Sequence, residues 1–190
     1  KYESSILIAK NTLNAVNIIG LIISLAVVVL TISTIVLFLF FDQTSFLTND
    51  SNLLKYMYIP PLSAFAIVIY KCYNEWCVRN KYFVPLSVNK IINTSSNTLG
   101  KYFLGILQFS TNGLIFGDLI GRFIAAFASI YYSIKKDKNI FFQISYSNMI
   151  LMAKKHIDFP KFLFPGQLID TLNTQLPVFI IASFFFTEEV

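Results

Sequence analysis

An all-α, polytopic membrane helix bundle is the fold class that three features of this sequence predict. The 190 residues are 55% hydrophobic and only 13% charged, with a mean hydropathy of +0.63. Soluble domains are about 25% charged, so this is membrane composition rather than one large buried core. The stretch from Asn11 to Phe41 runs 31 residues without a charge. A spanning helix needs about 20 apolar residues, so this one crosses with room to tilt, and it is too long for a signal peptide. Finally, the charges between apolar segments alternate in kind along the chain, as the loops of a membrane protein do.

Five spans follow, at about 13–41, 55–71, 85–109, 114–134 and 162–186. The second is uncharged from Tyr56 to Tyr70 and ends at Lys71. The third carries Lys90 and Lys101, and the uncharged "STNG" at 110–113 reads as a tight turn into the fourth, which carries Asp118 and Arg122. Lys1 and Lys10 precede span one, and Asp42 and Asp50 follow it. The loop "KCYNEWCVRNKYF" after span two holds Lys71, Arg79 and Lys81. Beyond span four come Lys135, Lys136, Lys138, Lys154, Lys155 and Lys161, and the sequence ends on Glu188 and Glu189. Basic segments placed inside put the N-terminus in the cytoplasm. The net charge of +5 is therefore a topology signal and not a nucleic-acid footprint.

The stretch "NIFFQISYSNMILMAKKHI" is too interrupted to cross, and predicts a helix lying along the cytoplasmic face within a linker at 135–161. The simpler reading is a linker with some core contacts. Because the sequence opens on Lys1 and stops as a helix ends, it reads as a fragment of a longer protein.

Polar residues inside the spans mark candidate sites, since each is costly in lipid. Span four has Gly113, Gly117, Gly121, Ala125, Ser129 and Ser133, a small residue at every fourth position, which forms a ridge where another backbone can approach closely. Lys90, Asn93 or Thr94, Asn97, Lys101 and Gln108 share one face of span three. That face is either a cationic lining for an anionic substrate or a structural one, with Lys90 snorkelling to headgroups and Lys101 paired to a carboxylate. Asp118 and Arg122, four apart, form an ion pair or, alternatively, a coupling-ion or substrate site. Asn14, Asn17, Gly20, Ser24 and Thr31 make a milder stripe on span one.

Nothing implies catalysis, a metal or a cofactor. His156 stands alone among lysines and is expected to be solvated. Cys72 and Cys77 lack a histidine partner, so two semi-buried thiols are expected rather than zinc or a disulfide. No Gly-rich phosphate loop, useful carboxylate pair or nucleophile beside a base is present.

The last span is the least orthodox. "DFPKFLFPGQLIDTLNTQLPVF", 158–179, holds three prolines and a mid-segment aspartate, Asp170. Pro160 sits at the helix start, where a proline costs little; Pro165 falls in the first turns; Pro177 lies deep and predicts a kink. Gln167, Asp170 and Thr174 share a side and face either a substrate cavity or an internal hydrogen bond.

Four blocks, "KYESSILIA" at 1–9, "YNEWCVRNKYF" at 73–83, "GLIFGDLIGRF" at 113–123 and "DFPKFLFPGQLIDTLNTQLPVFIIASFFFTEEV" at 158–190, resemble bacterial polysaccharide-biosynthesis flippases in order and spacing. These are the O-antigen and capsule translocases of the multidrug/oligosaccharidyl-lipid/polysaccharide (MOP) exporter superfamily. The last block is the most specific. The resemblance implies a flippase fold of about 12 to 14 helices in two lobes around a central cavity that opens alternately to either side. It makes 1–134 part of the N-terminal lobe and 162–190 the first helix of the C-terminal lobe. The implied substrate is an undecaprenyl-pyrophosphate-linked oligosaccharide, moved across the inner membrane without covalent chemistry, with membrane lipids and a coupling ion as further partners. Two alternatives stand beside it: a multidrug exporter of the same superfamily, which shares the fold, and a membrane polysaccharide polymerase or ligase of the same pathway, which would be expected to carry larger, Arg-rich outer loops.

Overall fold

A computed structural model of the chain describes residues 2–39, 56–106 and 110–184, and among them it is all-helical. The seven helices are α1 (Ser5–Ile8), α2 (Thr12–Leu39), α3 (Ile59–Arg79), α4 (Phe83–Ile106), α5 (Ser110–Phe141), α6 (Tyr146–Lys155) and α7 (Asp158–Phe184). Lys1, the acidic loop with Asp42 and Asp50, Gln108 and the terminal Glu188 and Glu189 lie outside the described residues.

Two helical stretches, Thr12–Leu39 and Gly113–Phe141, are long and apolar enough to cross a membrane by length and composition. Only 11% of the apolar window of α2 is buried, whereas the core helix of a soluble protein would be mostly covered. Its hydroxyls suit an apolar surrounding: Ser24, Thr31, Ser33 and Thr34 each donate to a carbonyl three or four residues back in the same helix. The polar stripe expected on α2 divides accordingly. Asn17 is buried, while Ser24 and Thr31 are exposed. Helices α3, α4 and α7 are long but carry more charge or polar side chains, so they do not share the apolar signature of the first two.

The core lies toward one end of the bundle. Ile6, Val16, Ile18, Ile19, Trp76 and Met152 belong to one cluster that ties α1, the first half of α2, α3 and α6 together. Here the sequence-based boundaries need correction. The basic segment after span two is not a loop for most of its length: α3 continues to Arg79, because Cys72, Tyr73, Trp76 and Cys77 fall on one face and are buried. The chain reverses only at Asn80–Tyr82, with Lys81 at φ 59°. Arg79 then reaches back, donating from Nη1 to the carbonyls of Ile6 and Leu7 at 2.9 and 3.1 Å, which supplies partners to the end of α1.

The "STNG" segment is likewise the first turn of α5 rather than a separate turn, and the connection from α4 falls at 107–109, outside the described residues. Helix α5 also runs beyond Ile134 to Phe141, with one irregular residue, Asp137 (φ −125°, ψ 28°). The Trp76 indole donates to the Asp137 carboxylate at 2.9 Å, which holds this break against α3.

The linker contains the expected short helix, α6, and it packs on α2. Asn17 is the anchor: its Nδ2 donates to Leu13 O at 2.7 Å, and its Oδ1 accepts the Ser145 N–H at 2.8 Å just before α6 begins. A Cβ on Gly20 would lie 2.9 Å from Ile144 Cγ2, so the linker crosses α2 where only a glycine leaves room. His156, expected to be solvated, is instead buried at 9% exposure at the end of α6, in edge contact with Phe159. Burial first, and the neighbouring Lys155 second, push its pKa below the ordinary histidine value. Helix α7 stays helical through Pro165 and Pro177, and every residue from Lys161 to Pro177 is exposed.

The tightest packing joins α4 and α5, antiparallel. A Cβ on Gly117 would lie 2.6 Å from Lys101 N, one on Gly121 2.6 Å from Asn97 Cα, and one on Gly113 2.8 Å from Leu104 O. These are backbone atoms that cannot swing aside. Gly117→Ala is therefore expected to destabilise the protein by about 1–3 kcal/mol, as overpacking does, lowering its thermal unfolding midpoint in detergent. Gly166→Ala, on α7 with nothing within 4 Å, is expected to be neutral or to stabilise by up to about 1 kcal/mol through helix propensity.

Buried neutral His156 supplies a pH dependence. Its folded pKa lies below the unfolded value, so its contribution is full above about pH 6.5 and is lost as pH falls toward the folded pKa. The unfolding midpoint is expected to drop between pH 7.5 and 5.5, and to drop less in His156→Gln.

Candidate functional site

The α4–α5 seam places its polar residues in register. Leu104 faces Gly113, Gly100 and Lys101 face Gly117, and Asn97 faces Gly121. Four residues of one helix match about four of the other, so α4 presents Asn89, Asn93, Asn97 and Lys101 along one line. At the buried end of that line, Asn89 Nδ2 donates to Ser129 Oγ and to Asn74 Oδ1, both at 3.1 Å. Ser129 also donates to Ala125 O at 2.7 Å. This amide–hydroxyl cluster joins α3, α4 and α5.

At the other end the line meets charge. Lys101 Nζ lies 2.9 Å from Asp118 Oδ1, and Arg122 Nε lies 2.5 Å from Asp118 Oδ2. The ion-pairing alternatives for Lys101 and for Arg122 thus meet on one carboxylate. The three side chains are 41%, 27% and 31% exposed for Lys101, Asp118 and Arg122, so the triad is partly shielded and not sealed. Among the described residues, the Nη groups of Arg122 make no hydrogen bond.

A cavity of about 340 Å³ opens beside the triad, where Asn93, Asn97, Lys101, Asp118 and Arg122 are joined by Tyr70 and Lys71 of α3. Three cations face one carboxylate here. Asn97 borders it as well: its Nδ2 donates to Asn93 O at 3.2 Å, while its Oδ1 is buried and has no partner. A buried acceptor left alone costs about 1–3 kcal/mol. The lining can therefore hold an anionic group against Lys101 and Arg122. Among the described residues no group of three or more His, Cys, Asp and Glu side chains gathers to hold a metal.

Comparison with known protein families, with curated proteins and with solved structures finds no match. The site rests on its own geometry.

Of the residues singled out in the sequence, Asn97, Lys101, Asp118 and Arg122 come together. Lys90 does not line this cavity; it is exposed, one position from the buried Asn89. Gln167 and Asp170 border a separate depression of about 410 Å³ with Glu3 and Ser4, and the Thr174 hydroxyl donates to Asp170 O at 3.0 Å. Tyr70 and Asn89 went unnoticed in the sequence. The strict four-residue spacing from Asn89 to Lys101 was the signal for Asn89, and it favours that residue over Lys90.

Removing the shared carboxylate leaves two cations facing each other. Asp118→Asn is expected to destabilise by about 1–3 kcal/mol, less than the 3–5 kcal/mol of a fully buried pair because the triad is partly exposed. Adding Lys101→Met is expected to recover part of that loss, read as unfolding midpoints in detergent.

Proposed function

We propose that this chain belongs to a membrane translocase that moves a lipid-linked oligosaccharide across the bacterial inner membrane for surface-polysaccharide synthesis, without covalent chemistry. The observation that carries this reading is the cavity beside Lys101, Asp118 and Arg122, with its cationic excess and the amide and phenol side chains of Asn93 and Tyr70. A pyrophosphate needs two or more cations and a sugar needs hydrogen-bond acceptors, and the lining offers both. Arg122 suits the phosphate because its fork of donors is only partly engaged. The sequence blocks that resemble polysaccharide flippases supply the substrate class. Five crossings, a cytoplasmic N-terminal side and membership of the flippase fold complete the proposal.

A multidrug exporter for cationic compounds fits the same fold, but a lining with three cations to one carboxylate would repel its cargo. Charge-assisted hydrogen bonds contribute about 1.5–3 kcal/mol each, or roughly ten- to hundredfold in affinity. Lys101→Ala and Arg122→Ala are each expected to cut surface-polysaccharide export by about that factor at normal membrane abundance. Normal export in both variants would remove this cavity from the transport path.

A further inference from the structure

The cationic cavity adjoins two further spaces of falling charge. Lys101 and Asp118 also border a second cavity of about 640 Å³, lined by Tyr56, Met57, Pro60, Leu114 and Ile115. Met57 and Pro60 in turn border a third space, a crevice of about 530 Å³ between α2 and α3, with Val29, Ile32, Val36 and Leu37 on the α2 side. Charge falls along this sequence of spaces: four charged side chains border the first, two the second and none the third.

The crevice walls are suited to hydrocarbon. Pro60 and Pro61 occupy the first turn of α3, where ordinary residues would present N–H groups without helical partners; prolines present none. Ser63 Oγ donates to Pro60 O at 3.0 Å, and Ser33 Oγ donates to Val29 O within its own helix, so both hydroxyls near the crevice are satisfied internally. An apolar crevice without open backbone donors, one shared wall away from a space bordered by Lys101, has the polarity profile of a phosphorylated lipid.

We propose that the crevice between α2 and α3, at the level of Ile32, Val36 and Pro60, is where the hydrocarbon chain of a phosphorylated lipid leaves the protein while its phosphate lies against Lys101 and Arg122. The inference rests on the anionic-substrate reading above and adds the tail site. Ile32 and Val36 of α2 line the crevice together with Pro60 and Pro61 of α3, so bulk added at either fills it.

The test is photolabelling of the protein in phosphatidylcholine nanodiscs with hexadecyl phosphate carrying a mid-chain diazirine, beside the matching hexadecanol probe. The phosphate probe is expected to label 29–37 and 57–61 about tenfold more than hexadecanol. That excess is expected to vanish in Ile32→Trp, Val36→Trp and Arg122→Ala, and to persist in Val27→Trp, which lies on the opposite side of α2. Equal labelling of these segments by both probes in every variant overturns the proposal, because the crevice would then be ordinary lipid contact. Labelling that depends on Arg122 but maps elsewhere overturns the tail path alone. If inorganic pyrophosphate displaces the phosphate probe equally from the wild type and Arg122→Ala, the cavity reading beneath it falls as well.

Discussion

The close approach of the α4 and α5 backbones is the constraint on which the rest of the structure depends. Gly113, Gly117 and Gly121 bring the helices so near that a single added carbon would strike backbone atoms of Leu104, Lys101 or Asn97. With no side chains between the axes, polar groups flanking the seam are forced into one another's reach. Asn89 finds Ser129 on one side of this contact, and Lys101 finds Asp118 on the other. Both are polar contacts that an apolar surrounding strengthens, and both would be costly if mispaired. The glycines thus set position, and the amides and charges set register.

Much of this seam was legible in the sequence, because a small residue at every fourth position has one geometric meaning in a helix. The Lys101 alternative of a carboxylate partner was legible too, since Asp118 and Arg122 stood four apart on the neighbouring span. Asn89 was overlooked in favour of Lys90 because charge draws attention in an apolar segment, while a single amide does not. Yet burial favours the amide, which can be satisfied by two partners without carrying charge from water. The same bias made the lysine-rich segment after span two look like a loop. Its buried face, Cys72, Tyr73, Trp76 and Cys77, decided otherwise.

Long-range partners could not be read from local pattern. His156 has lysines as sequence neighbours, but α6 folds onto α2 through Asn17 and Gly20 and carries the imidazole into cover. The segments 1–9 and 73–83 meet in the fold through Arg79 and the carbonyls of Ile6 and Leu7. Their role is to secure the end of the bundle, at a distance from the charged triad. Gln167, Asp170 and Thr174 sit on an exposed helix, where sequence pattern alone cannot say what they face.

The break at Asp137 has a mechanical consequence. It falls 27 residues after Ser110, about 40 Å along the helix at 1.5 Å per residue, beyond a hydrocarbon layer of about 30 Å. Its carboxylate is tethered to Trp76 on a different helix. A change in bilayer thickness would ordinarily let each helix slide or tilt on its own. Here the Trp76–Asp137 hydrogen bond ties the end of α5 to α3, so a displacement of that end is passed to its neighbour.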